Sequence, residues 1–122
     1  MTEVTAVLSW MFYEECSIPS DVNDLLVTGE KAMYAYKTVR DVAVFTNKRL
    51  IVRDAQGITG KKAEIYSLPY SSILMYSTEN AGRLDLDSEV QLWTKVGVIK
   101  ISLRKKVDVR AFDKILSEFI IG

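Results

Sequence analysis

The sequence predicts a mostly β domain: about seven antiparallel strands in two bent sheets, capped by a C-terminal α-helix and preceded by a short N-terminal helix. Three observations carry this expectation. Residues 84–93 alternate, with Leu84, Leu86, Val90 and Leu92 on even positions and Asp85, Asp87, Glu89 and Gln91 on odd ones, the pattern of a strand with one wet face and one core face. Residues 99–104 alternate in the opposite parity, Ile99, Ile101 and Leu103 against Lys100, Ser102 and Arg104, with Gly97 placed to turn the chain between the two. The period then changes, and Val109, Phe112, Ile115, Leu116, Phe119 and Ile120 fall on one face of a helix over residues 108–120. Consecutive strands without intervening helices point to an antiparallel sheet bent into a sandwich or barrel, and a single helix after the last strand is suited to plug an open end.

The first element is the N-terminal helix. Val4, Val7, Leu8, Met11 and Phe12 recur at helical spacing within residues 2–16, with Thr2 as a cap. Trp10 and Tyr13 lie off that stripe, so the helix packs either on its own domain or on a neighbouring subunit. Pro19 and its polar neighbours end it, which divides the chain into an N-terminal extension, 1–23, and a β domain, 24–122. Residues 24–28 read as one helical turn stopped by Gly29. Strands follow at Ala32, Tyr34 and Tyr36, then at 42–46, 49–54, 64–70 and 73–78, with Pro69 near a strand end, where a missing N–H does least harm. Asp108 is placed to cap the last helix, and Val107 to pack on Phe112 one turn later.

The bulk properties narrow the function. A length of 122 residues indicates one domain, and 48% hydrophobic with 26% charged residues is an ordinary globular composition. Sixteen basic residues balance sixteen acidic ones, so no whole-protein footprint for nucleic acid exists. There is no histidine and one cysteine, Cys16, which excludes histidine-dependent triads, the usual Cys/His zinc sites and an intrachain disulfide. No cofactor is expected. The N-terminal apolar pieces are short and no basic residue precedes them; a signal peptide and a membrane span both need more, so the expected location is cytoplasmic.

The stretch 41–62 organises the rest. Val42–Phe45 and Leu50–Val52 flank the polar break Thr46, Asn47, Lys48 and Arg49, which reads as an antiparallel hairpin because asparagine tolerates turn geometry. A second turn follows at Asp54 and Gln56, then Lys61 and Lys62 lead into the next strand. These loops, with the acidic row Asp85, Asp87 and Glu89, are the candidate interaction surface; the same residues also read as solvated turns and as cross-strand charge pairs. The acidic row is spaced about 6–7 Å between alternate residues, too wide for three of them to share one ion. No nucleophile and base accompany it, so no enzyme is expected.

The order and spacing of several segments identify a resemblance: GEKAMYAYKTVRD at 29–41, FTNKRLIV at 45–52, DAQGITGKK at 54–62, LPYSSI at 68–73, LDLDSEVQLW at 84–93 and KKVDV at 105–109. From about residue 24 to 120 the chain resembles the bacterial pleckstrin-homology domain family, of which the yvbH-like group is typical. The resemblance implies a pleckstrin-homology-like (PH-like) barrel, no catalytic activity, and assembly into closed cyclic rings whose polar surface meets a protein partner. The alternative is an anionic headgroup or membrane-surface binder, which would need Lys48, Arg49, Lys61 and Lys62 to converge at one barrel mouth. Four basic residues contribute roughly 1 kcal/mol each near an anionic surface, so membrane binding is not the favoured expectation.

Overall fold

The structure, a computed structural model, describes residues 6–56, 62–80 and 87–122, with the backbone alone at residue 56. Nine strands and one α-helix are seen among them. Strands β1 (Ala6–Phe12) and β2 (Glu14–Cys16) are followed by β3 (Ala32–Lys37), β4 (Val42–Thr46), β5 (Arg49–Gln56) and β6 (Lys62–Pro69). Strands β7 (Ile73–Glu79), β8 (Ser88–Thr94) and β9 (Gly97–Leu103) precede helix α1 (Val109–Ile120). One sheet has the order β1-β9-β8-β7, the other β2-β3-β4-β5-β6. The chain passes between sheets at two bent corners, through Tyr13 from β1 to β2 and through the 3-10 turn Tyr70–Ser72 from β6 to β7. Pro69 is the last residue of β6, where its missing N–H interrupts no ladder.

The N-terminal helix is corrected. Residues 6–12 and 14–16 are strands, and β1 runs parallel to β9, pairing Trp10 with Ile101 and Phe12 with Leu103. The sheets are therefore not wholly antiparallel, and there are nine strands rather than about seven. Spacing explains the outcome: Leu8, Trp10 and Phe12 satisfy a period of two as well as Leu8 and Phe12 satisfy the helical one, and β9 offers those alternate residues a core to enter. Phe12 is fully buried there. The helical turn expected at 24–28 is instead a 3-10 turn at Ser20–Leu25, and Gly29 that follows takes the positive φ, +80°, that glycine permits.

The opposite parities of β8 and β9 hold. Val90 and Leu92 face the core from one strand, Ile99, Ile101 and Leu103 from the other. Residues 84–86 lie outside the described residues. Helix α1 closes one open end of the barrel, capped as expected by Asp108, which accepts from the amides of Arg110 (2.9 Å) and Ala111 (3.3 Å). Val107 and Phe112 are both buried in the core, the hydrophobic staple expected at this cap. Tyr76 of β7 hydrogen-bonds to Ser117 at 2.7 Å, and Thr78 donates to Asp113 at 3.0 Å. From the other sheet Tyr34 meets Phe119 edge-on, so the helix bridges both layers. Between them Phe112 packs edge-on against Phe12, Tyr36 and Phe45 with ring centres 5.5–5.9 Å apart, the favoured arrangement for aromatic pairs.

All five residues of β4 are buried. One face looks into the barrel; the other is covered by a strap, residues 18–30, laid across the outer face of the five-stranded sheet. Val22 is buried there against Ala35, Val42, Val44 and Ile51. Three alternate residues of β5 hold the strap down. Arg53 binds Asp21 at its start (2.8 Å) as well as Asp41 (2.9 Å), Ile51 packs beneath its middle, and Arg49 grips its end. The unbroken apolar run 42–45 is the sequence mark of a strand covered on both sides.

Candidate functional site

The 46–49 turn is bound into the strap. The carboxylate of Glu30 is fully buried and receives Arg49 through Nε (2.8 Å) and Nη2 (3.0 Å), the hydroxyl of Thr46 (2.7 Å) and the amide of Val27 (3.0 Å). Arg49 also donates to the carbonyl of Leu25 (2.7 Å) and to Ser67 (2.9 Å). Burial pushes the Glu30 carboxyl up, but Arg49, Thr46 and the Val27 amide outweigh it and hold the group at about 2. Asn47 fastens the same loop, accepting from the Lys31 amide (2.7 Å) and donating to the Gly29 carbonyl (3.0 Å). Thr46 is wholly buried, whereas Asn47 and Lys48 are exposed.

The remaining candidates lie elsewhere. Arg49 is opposite Pro69 in the β5–β6 hairpin, whereas Gln56 is opposite Lys62; seven residues of strand separate these ends by about 24 Å. Asp54 pairs with Arg40 at 3.3 Å, and Lys62 is exposed. Lys61 and Asp85 lie outside the described residues, as does the side chain of Gln56. Asp87 pairs with Arg104 at 3.3 Å, one of the cross-strand charge pairs expected. Glu89 stands opposite Ser102 on β9 and Glu79 on β7. The candidates thus occupy three regions: the 46–49 turn, the far end of the β5–β6 hairpin, and the outer face and end of β8.

A fourth region joins Asp87 to residues that sequence reasoning did not single out. Tyr13, Glu14, Asp87, Arg104, Lys105 and Lys106 line a groove of about 310 Å³ at the β1–β2 corner. The guanidinium of Arg104 lies 5.3 Å over the Tyr13 ring, a cation–π contact. Glu14 bridges Lys37 (3.2 Å) and Lys106 (3.4 Å), and those two ammonium groups, Lys37 foremost, hold its carboxyl below the usual carboxylate range. The one sequence signal was the run Arg104, Lys105 and Lys106; its meeting with Tyr13, about ninety positions earlier, needs the parallel β1–β9 pair. Such a surface can bind acceptors and acidic groups. Among the described residues no group of three or more acidic or cysteine side chains is placed to hold a metal ion.

Comparison with known proteins agrees with this architecture. A family model, bacterial PH domain, matches residues 4–120. The chain belongs to that family. YjqA of Bacillus subtilis, an uncharacterized protein, is 42% identical over 104 residues, 83% of each chain. The crystal structure of a DUF1696 family protein with a pleckstrin-homology domain from Shewanella loihica superposes with a TM-score of 0.80 at 34% identity, covering 88% of this chain and 97% of that one. A pleckstrin homology domain from Shewanella amazonensis gives 0.70 at 37%, with 84% and 85% covered. These matches name the bacterial PH family and not the yvbH-like group within it. They indicate no enzymatic family, and the PH-like fold supports a binding module. Among the described residues no helix is long and apolar enough to cross a membrane.

Proposed function

We propose that this bacterial PH domain is a non-enzymatic interaction module, which assembles into a cyclic homo-oligomer and presents repeated polar surfaces to a protein partner in the cytoplasm. The observation that carries the reading is the edge strand β7. It spans seven residues, bears one charge, Glu79, at its last position, and exposes Leu74 (68%) and Met75 (54%). A long apolar edge is normally covered, charged or paired, and pairing with a further copy meets that need. Head-to-tail contact between unlike surfaces closes into a ring when the rotation permits. The exposed Lys48 turn and the Tyr13–Arg104 groove would then recur around it, so that weak contacts sum.

The placement of Lys48 and Lys62 at opposite ends of the β5–β6 hairpin, with Arg49 tied to Glu30, supports this reading over an anionic headgroup site built from those loops. Zero net charge favours a protein partner over nucleic acid. Light scattering on the purified chain at micromolar concentration tests the assembly. A mass of several copies is expected; a monomer overturns the ring and returns headgroup binding to first place.

A further inference from the structure

The β1–β2 corner is fastened from both sides. The Tyr13 amide donates to the carbonyl of Lys37 (2.8 Å), and the Arg104 amide donates to the carbonyl of Phe12 (3.0 Å). Residues 104–107 form a tight turn, closed by the Val107 amide on the Arg104 carbonyl (2.8 Å). That turn sets out Arg104, Lys105 and Lys106 in succession, all exposed. Three cations and two carboxylates therefore line the groove beside the Tyr13 ring, and the two acids do not neutralise the three. Glu14 is divided between Lys106 and Lys37, which is not part of the groove lining. Asp87 meets Arg104 at 3.3 Å. Among the described residues the Lys105 ammonium and the Tyr13 hydroxyl have no hydrogen-bond or ion-pair partner.

We infer that this groove docks an acidic peptide segment of a partner protein, and that Asp87 holds the place of the incoming carboxylate on Arg104. The inference rests on the partner-protein reading above and names the chemistry of that partner. The protein's own acids show which atoms are served, for carboxylates already reach Arg104 and Lys106 at 3.3 and 3.4 Å. Stacking on Tyr13 fixes the guanidinium plane, so its fork of N–H groups is held ready for a carboxylate. Ion pairs as exposed as Arg104–Asp87 are individually weak, so Asp87 is readily displaced. Glu14 and Asp87, with Glu15 exposed next in the chain, favour a peptide over a polyanion. A nucleic acid or an anionic membrane sets continuous negative charge against all three, whereas separate acidic side chains fit between them.

Titration of the full chain into a rhodamine-labelled peptide, with fluorescence anisotropy as readout, tests this. The peptide carries three consecutive glutamates between glycines and is blocked at both ends; its counterpart carries glutamines. Saturable binding of the glutamate peptide is expected, weakening as salt rises, with none for the glutamine peptide. Lys105→Glu removes an attraction and adds a repulsion, and should weaken binding about tenfold. Asp87→Asn releases Arg104 and should tighten binding by about threefold. Lys48→Glu makes the same change in net charge in the turn beside the opposite end of β3 and should match wild type. If Lys105→Glu misfolds by circular dichroism, Lys105→Gln repeats the test with a smaller loss. Undiminished binding by the Lys105 variant, equal loss in Lys48→Glu, or no tightening in Asp87→Asn overturns the inference. Tighter binding to phosphatidylglycerol vesicles than to the peptide, lost in Lys105→Glu, also overturns it and gives the groove to a membrane. An oligomeric wild type that ignores the peptide overturns the groove and leaves the assembly reading standing; a monomer that binds it does the reverse.

Discussion

Replacing Glu30 by glutamine removes the one negative charge beneath Arg49 while preserving shape. In the native protein the carboxylate accepts four hydrogen bonds from Arg49, Thr46 and the Val27 amide. Its titration is held down from an ordinary 4.5 to about 2, and at about 1.4 kcal/mol per unit this corresponds to about 3 kcal/mol of pH-dependent stability. The folded value lies below the unfolded one. The contribution is therefore complete above about pH 4.5 and is lost as pH falls through about 2. Leaving one partner of a buried ion pair alone costs about 3–5 kcal/mol, so Glu30→Gln should be less stable than wild type by that order at pH 7. The difference should shrink by about 3 kcal/mol between pH 5 and pH 2. Urea denaturation of both proteins across that range, at fixed ionic strength, measures it. A gap that stays constant with pH would show that the ionised carboxylate is not the anchor of the strap.

Three further outcomes are expected. Phe112→Ala empties the centre of the aromatic cluster, in which Phe112 is fully buried, and should cost roughly 3–5 kcal/mol in denaturant unfolding; an unchanged midpoint would mean that α1 does not close the core. Val22→Ala should cost about 2 kcal/mol and speed amide exchange at Ala35 and Val44 beneath the strap, whereas unaltered exchange there would refute its covering role. Asp108→Ala should lower stability by about 0.5–2 kcal/mol through loss of the cap, and an unchanged thermal midpoint would show that the two amide contacts contribute nothing.

The β8–β9 hairpin and α1 were legible because each element owes its conformation to its own pattern: parity turns Val90 and Ile101 inward, and Asp108 caps the helix it precedes. The run 42–45 announced a strand but not its cover, since the strap meets it only after the chain has doubled back through Val22. The N-terminal strand was ambiguous at the residue level. Val7, Leu8, Met11 and Phe12 suit a helix, and Leu8, Trp10 and Phe12 suit a strand; the choice lies with β9, about ninety residues on. The 46–49 turn was singled out as surface, and Asn47 and Lys48 are exposed, yet Thr46 and Arg49 turn to the buried carboxylate of Glu30 and Asn47 fastens the loop beside it. Nothing local in the sequence announces that partnership. The Tyr13 groove escaped for the same reason, being assembled from the two ends of the chain.

The parallel β1–β9 pair also sets an order of events in time. Hairpins such as β4–β5 close loops of a few residues, whereas β1 must find a partner about ninety residues away, which costs about 2 kcal/mol more in chain entropy. Strand β1 is thus made about ninety residues ahead of its partner and stays unpaired until β9 has followed it. Until then the bare, uncharged segment Ala6–Phe12 is unsheltered in a crowded cell. The same asymmetry governs the finished molecule: exchange at the amides of β1 should report partial openings that leave the β3–β6 meander intact.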